Sequence, residues 1–128
     1  MIVDDDPRNC ELLGRLLEME GCRVRTASNA AAGLAMASEI VPDLVLLDVR
    51  MPGIDGFAAC RRLRALAALA GTPIFLVTAF DDDDVWPEAM TAGATGLLAK
   101  PYDRMALRRL LRELSQQPSA SRDGAREA

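Results

Sequence analysis

The chain has 128 residues, half of them hydrophobic, with 15 basic and 19 acidic side chains for a net charge of −4. That suffices for one well-packed domain and not for two, and the acidic balance argues against a nucleic-acid surface. Histidine is absent, and the three cysteines (Cys10, Cys22, Cys60) lack CxxC spacing. These facts exclude imidazole bases, Ser-His-Asp and Cys-His nucleophile pairs and histidine-liganded zinc. No stretch of about 18 apolar residues suggests a membrane span. Asp4 is reached without a basic-plus-apolar leader, so a cytoplasmic protein with reduced thiols is expected.

In chain order, Met1-Ile2-Val3 is a strand stub running into Asp4-Asp5-Asp6, as if the natural chain begins further upstream. Asp6-Pro7 reads as an N-cap followed by an N1 proline. Leu12, Leu13, Leu16, Leu17 and Met19 then recur at helical spacing, and Gly21 closes the helix. Arg23–Ala27 alternates as a second strand. Ser28-Asn29 caps a helix over Ala30–Ser38. Val45-Leu46-Leu47 is an unbroken apolar run, the pattern of a strand buried on both faces of a parallel sheet. It ends on Asp48, and Pro52-Gly53 turns the chain away.

The third helix carries Cys60, Leu63, Leu66 and Leu69 on one side and Arg61, Arg62 and Arg64 on the other, and Gly71-Thr72 ends it. Pro73–Ala79 is a fourth strand ending on the Thr78 hydroxyl. Asp81–Asp84 supply acids that suit the N-terminus of a fourth helix, whose regular part begins near Trp86 because of Pro87. Gly93 and Gly96 bracket a turn, and Leu97–Ala99 is a fifth strand ending on Lys100-Pro101. The last helix, Tyr102–Leu114, turns Met105, Ala106, Leu110 and Leu114 inward. Arg104, Arg108 and Arg112 face outward as a candidate partner surface. Residues 1–115 form one domain, and 116–128 read as a disordered tail or linker.

Strands alternating with helices imply an α/β fold, a doubly wound parallel sheet with right-handed crossovers. In such sheets ligands gather at the carboxyl ends of the strands. Asp4-Asp5, Asp48, Thr78 and Lys100 all fall there. Each has an ordinary explanation alone, as a solvated acid, a strand-ending hydroxyl or a surface lysine, but together they make a site. Three carboxylates without histidine suit a hard cation, Mg²⁺ foremost. A cation beside a carboxylate is understandable where that carboxylate attacks phosphorus. Lys100 then supplies a point charge for one phosphoryl oxygen, and Thr78 a hydroxyl for another.

Four motifs now stand in order: Val3-Asp4-Asp5-Asp6-Pro7, Leu46 through Gly56 around Asp48, Val77-Thr78-Ala79 and Ala99-Lys100-Pro101. Over about residues 1–115 the chain thereby resembles the receiver domain of two-component response regulators. The resemblance implies a flavodoxin-like (βα)5 fold with strand order 2-1-3-4-5. It implies that Asp48 accepts a phosphoryl group from a histidine kinase or histidine phosphotransfer protein and switches partner binding. On this view the domain is no enzyme beyond its own phosphorylation and autodephosphorylation. By the same match Asp4, Asp5, Asp48 and the Arg50 carbonyl surround Mg²⁺, Thr78 and the Ala79 amide contact the phosphoryl group, and Lys100 pairs with it. The partners implied exclude nucleic acid and membrane and include a receiver dimer through the last two helices.

Two departures from the family pattern stand out. Leu97 occupies the switch position, where tyrosine or phenylalanine is usual. A leucine there is expected to stay buried and to leave signalling to Thr78 and the loop 79–84, with Trp86 as reporter. Arg50 and Phe80 hold the positions that modulate phosphoryl lifetime. Three other readings are weaker. A haloacid-dehalogenase-like phosphatase needs an acid where Arg50 stands, a flavin site needs a phosphate loop where the acids stand, and a degenerate receiver would not keep the whole acid, hydroxyl and lysine set.

Overall fold

A computed structural model describes residues 1–51, 53–79 and 85–116 of the chain. The strands are β1 (Ile2–Val3), β2 (Thr26–Ala27), β3 (Val45–Asp48), β4 (Ile74–Thr78) and β5 (Gly96–Ala99). The helices are α1 (Pro7–Met19), α2 (Ala30–Glu39), α3 (Gly56–Arg64), α4 (Val85–Thr91) and α5 (Arg104–Gln116). All strand pairs are parallel, in the order β2-β1-β3-β4-β5. This is the expected doubly wound, flavodoxin-like sheet.

Side-chain alternation along the strands divides the core into two layers. Val45, Leu47, Ile74 and Leu76 point to one face, where Phe57, Cys60 and Leu63 of α3 and Ala89 of α4 cover them. Leu46, Val77 and Leu98 point to the other, beneath Leu13 and Leu17 of α1 and Leu107, Leu110 and Leu114 of α5. Burial on both faces is why β3 reads as an uninterrupted apolar run. The helix starts follow their capping residues: Asp6 accepts from the Arg8 amide, Asn29 from Ala32 and Asp55 from Ala58. Gly21, at φ +89°, ends α1 as expected.

Several expectations need correction. Strand β2 is confined to Thr26–Ala27 rather than Arg23–Ala27, because β1 offers two pairing residues; the Arg25 carbonyl still accepts from the Ile2 amide at 2.8 Å, while its side chain donates to the Ile40 carbonyl at 2.8 Å. Helix α3 stops at Arg64, and a separate 3-10 turn covers Ala67–Leu69. The break lies at Leu66, whose backbone is extended. Gly96 belongs to β5 rather than to a turn, and a Cβ there would sit 2.7 Å from the Phe75 ring. Met105 is 56% exposed and not inward, and Leu12 and Met19 are exposed too. Helical spacing identified apolar residues on faces wider than the contact area. Helix α5 begins at Arg104, where the Asp103 side chain accepts from the Ala106 amide at 2.9 Å. The loop 80–84, Pro52 and the tail beyond Gln116 lie outside the described residues. No helix among the described residues is long and apolar enough to cross a membrane.

Candidate functional site

Four strands deliver their last residues to one edge. Asp4 follows β1 directly, and its amide still extends the ladder, donating to the Ala27 carbonyl at 3.0 Å. The residue is 5% exposed, and its carboxylate accepts from the Asp6 amide at 2.9 Å. Asp5 is exposed beside it. Asp48 is the last residue of β3, opposite Val77 of β4, and is 8% exposed. One carboxylate oxygen from each of Asp4, Asp5 and Asp48 falls within 4.8 Å of the others.

Thr78, also buried, ends β4 opposite Ala99 of β5. The Lys100 amide donates to the Thr78 carbonyl at 2.7 Å, which carries Lys100 to the same edge. Its Nζ stands 3.7 Å from Oδ1 of Asp48. Lys100 is also the only lysine in the chain, all 14 other basic residues being arginine.

The start of α3 lies directly against the end of β3. The Gly56 amide donates to the Val49 carbonyl at 2.8 Å, and a Cβ on Gly56 would lie 2.4 Å from the Asp48 carbonyl oxygen and 2.6 Å from Cα of Val49. Only glycine permits α3 to start so close to the strand end. Burial, and then the charge of Asp4, push the Asp48 carboxyl above its ordinary value. Lys100 and the Arg50 amide, which hydrogen-bonds to Asp48, oppose that rise.

The other expected positions fall as follows. Arg50 is exposed at the rim, Ala79 follows Thr78 and is exposed, and Phe80 lies outside the described residues. Leu97 is half-buried rather than buried. It sits on the edge strand, packed against the α3 and α4 side of the core. The basic stripe is not a free face: Arg104 and Arg108 both pair with Glu20, at 2.5 and 3.1 Å, and of the three only Arg112 is exposed.

Two residues to which the sequence assigns no role at the site lie near it. Tyr102, two places after Lys100, is half-buried, and its phenol is raised by burial and then by Asp4 and Asp48. The Cys10 thiol donates to the Asp4 carbonyl at 3.4 Å and is raised by burial and then by Asp4. Asp4, Asp5, Cys10 and Ser28 share a cleft of about 530 Å³ between α1 and the end of β2.

Comparison with known proteins places the chain in a family. The model of the response regulator receiver domain matches residues 1–112. The protein PilH of Pseudomonas aeruginosa is 39% identical over 109 residues, covering 84% of this chain and 88% of that protein. The response regulator PleD of Caulobacter vibrioides is 38% identical over 116 residues, 91% of this chain, but the match spans only 26% of PleD. Among solved structures, the chemotaxis protein CheY4 of Vibrio cholerae superposes with a TM-score of 0.84 at 29% identity, covering 88% of this chain and 94% of that one. A putative response regulator from Chloroflexus aurantiacus gives 0.83 at 34% identity, covering 90% and 95%. With its sheet order, its edge of acids and these relatives in agreement, the chain belongs to the receiver domains of two-component response regulators.

Proposed function

We propose that Asp48 is the phosphoacceptor and that the domain, residues 1–115, takes its phosphoryl group from a histidine kinase or histidine phosphotransfer protein. The observation that carries this reading is the placement of the buried Asp48 between two further acids and a lysine 3.7 Å away. An oxygen of Asp48 attacks phosphorus in line with the donor's leaving group, which departs with the electrons of its bond to phosphorus. Lys100 pairs with a phosphoryl oxygen, and the Thr78 hydroxyl and Ala79 amide donate to others. The buried setting sharpens these interactions by keeping solvent away.

The donor set fits a hard divalent ion. Ligand oxygens around Mg²⁺ stand roughly 2.9 Å apart when adjacent and roughly 4.1 Å apart when opposite, given its metal–oxygen distance. Three carboxylate oxygens within 4.8 Å of one another approach that spacing with small side-chain movements. Asp4, Asp5, Asp48 and the Arg50 carbonyl would hold Mg²⁺, which when bound neutralises charge on the incoming phosphoryl group.

The chemistry is limited to gaining and losing the domain's own phosphoryl group, because Arg50 stands where an ester phosphatase needs an acid. Self-association through α4 and α5 belongs to the same proposal, since Trp86 and Met90 of α4 and Met105 of α5 are exposed. Labelling with radioactive acetyl phosphate in Mg²⁺ tests the core of it. Wild type and Asp6→Asn should label and Asp48→Asn should not, and equal labelling of all three would overturn the reading.

A further inference from the structure

Helices α1 and α5 are joined by a cluster that the phosphoacceptor chemistry does not account for. Glu20 is the C-cap of α1, and its side chain is 13% exposed. Its Oε2 accepts from Nε of Arg104 at 2.5 Å, and its Oε1 from Nε of Arg108 at 3.1 Å. Nη2 of Arg108 reaches Oε2 at 3.4 Å, and Nη2 of Arg104 reaches the Met19 carbonyl at 3.4 Å. An exposed ion pair usually contributes little. Here both oxygens of one half-buried carboxylate are engaged by two guanidiniums from successive turns, and the bonds join residues 84 and 88 places apart. The cluster therefore sets where the first turn of α5 lies.

That turn follows closely on Lys100. Only Pro101, Tyr102 and Asp103 intervene, and the four steps from Lys100 to Arg104 span at most about 14 Å. The Lys100 end is held by its amide on the Thr78 carbonyl at 2.7 Å. Tyr102 packs in the α1–α5 layer, and Asp103 caps the helix. With both ends pinned, a shift of Arg104 has few bonds in which to be absorbed before it reaches Lys100.

We propose that Glu20 is a positioning residue for Lys100: by gripping Arg104 and Arg108 it fixes the start of α5, and through it the approach of the lysine to Asp48. The inference rests on the reading of Asp48 and Lys100 as the phosphoacceptor pair.

The test uses the chain's single lysine. Trace acetylation of the native protein by acetic anhydride, read by mass spectrometry at Nζ of Lys100, reports on that amine without any phosphoryl chemistry. Glu20→Gln should raise its reactivity roughly threefold, the scale on which a loosened ion pair frees a charged group, and should slow Mg²⁺-dependent labelling by acetyl phosphate several-fold. Arg104→Gln with Arg108→Gln, which leaves Lys100 the single lysine but removes both guanidiniums from Glu20, should give a change in the same direction. Unchanged reactivity at Lys100 in both variants, whatever happens to melting temperature, would overturn the positioning role. If reactivity changes while wild type takes up no phosphoryl group, the phosphoacceptor reading falls and the structural coupling stands.

Discussion

The two ends of helix α3 handle charge in opposite ways. Near Gly56, three carboxylates crowd within 4.8 Å with one lysine 3.7 Å from Asp48 as counter-charge. At the far end the single guanidinium of Arg64 donates to the carbonyls of Gly93, Leu69 and Thr72 at 3.0, 2.7 and 2.7 Å, with longer contacts to the Ala70 carbonyl and the Thr95 hydroxyl. The Arg64 end is saturated and joins α3, the 3-10 turn and the turn before β5 into one block. The acidic end is left with more negative charge than it can satisfy internally. A reactive site needs unspent electrostatic capacity, and a scaffold needs none.

That contrast can be broken at its tightest point first. Gly56→Ala should cost about 3 kcal/mol in urea unfolding and abolish phosphoryl labelling together, because the new Cβ meets backbone of Asp48 and Val49 that cannot give way. A stable, labelling-competent variant would show that α3 need not press on the site.

At the other end, Arg64→Ala should cost about 2 kcal/mol by stranding several carbonyls, while the labelling rate stays within about twofold. Arg64→Lys should recover little of the loss, since an ammonium lacks the fork. Loss of labelling beyond that range would mean the two ends are not separate.

Asp5→Ala tests the excess charge directly. In EDTA it should raise stability by about 1 kcal/mol by relieving repulsion, whereas Mg²⁺ should stabilise wild type by about 1–3 kcal/mol at saturation and the variant hardly at all. A melting temperature indifferent to metal in both proteins would count against the acidic site.

The smallest effect concerns pH. Hydrogen bonds from Arg108 and Arg104 hold the Glu20 carboxyl below its ordinary value, so its contribution is present above the unfolded value and is lost as pH falls below about 4.3 through the folded one. Asp48 is raised, so stability declines as pH climbs from the ordinary carboxylate value through the raised one. Glu20→Gln should flatten the acid limb of melting temperature against pH, and Asp48→Asn should remove the opposing slope. Matching slopes in the two variants would refute the assignment of opposite signs.

Which features were legible in the sequence follows the same division. Asp4, Asp48, Thr78 and Lys100 could be found because each ends an apolar strand, and a polar residue there breaks a visible pattern. The sheet order came with the family motifs, and the β-α alternation supports it. Arg64 and Glu20 could not be found that way. The acceptors of Arg64 are almost all main-chain carbonyls, which leave no mark on residue identity, and the partners of Glu20 are 84 and 88 positions distant. Leu66 and Leu69 kept the helical period across a break that the Leu66 backbone introduces. The spacing of Arg104 and Arg108 points them to solvent, because the periodicity of one helix cannot register a carboxylate on another.

The outer strands of the sheet have one further consequence. Strand β2 offers two residues along its free edge and β5 four, the latter followed at once by Lys100-Pro101. Edges this short give a foreign strand almost nothing to pair with, and the proline removes a donor just beyond. Another polypeptide that recognises this domain must therefore read side chains on its helices and loops. Recognition of that kind can differ between closely similar sheets, because the surface residues of helices are freer to vary than the buried ladder that carries them.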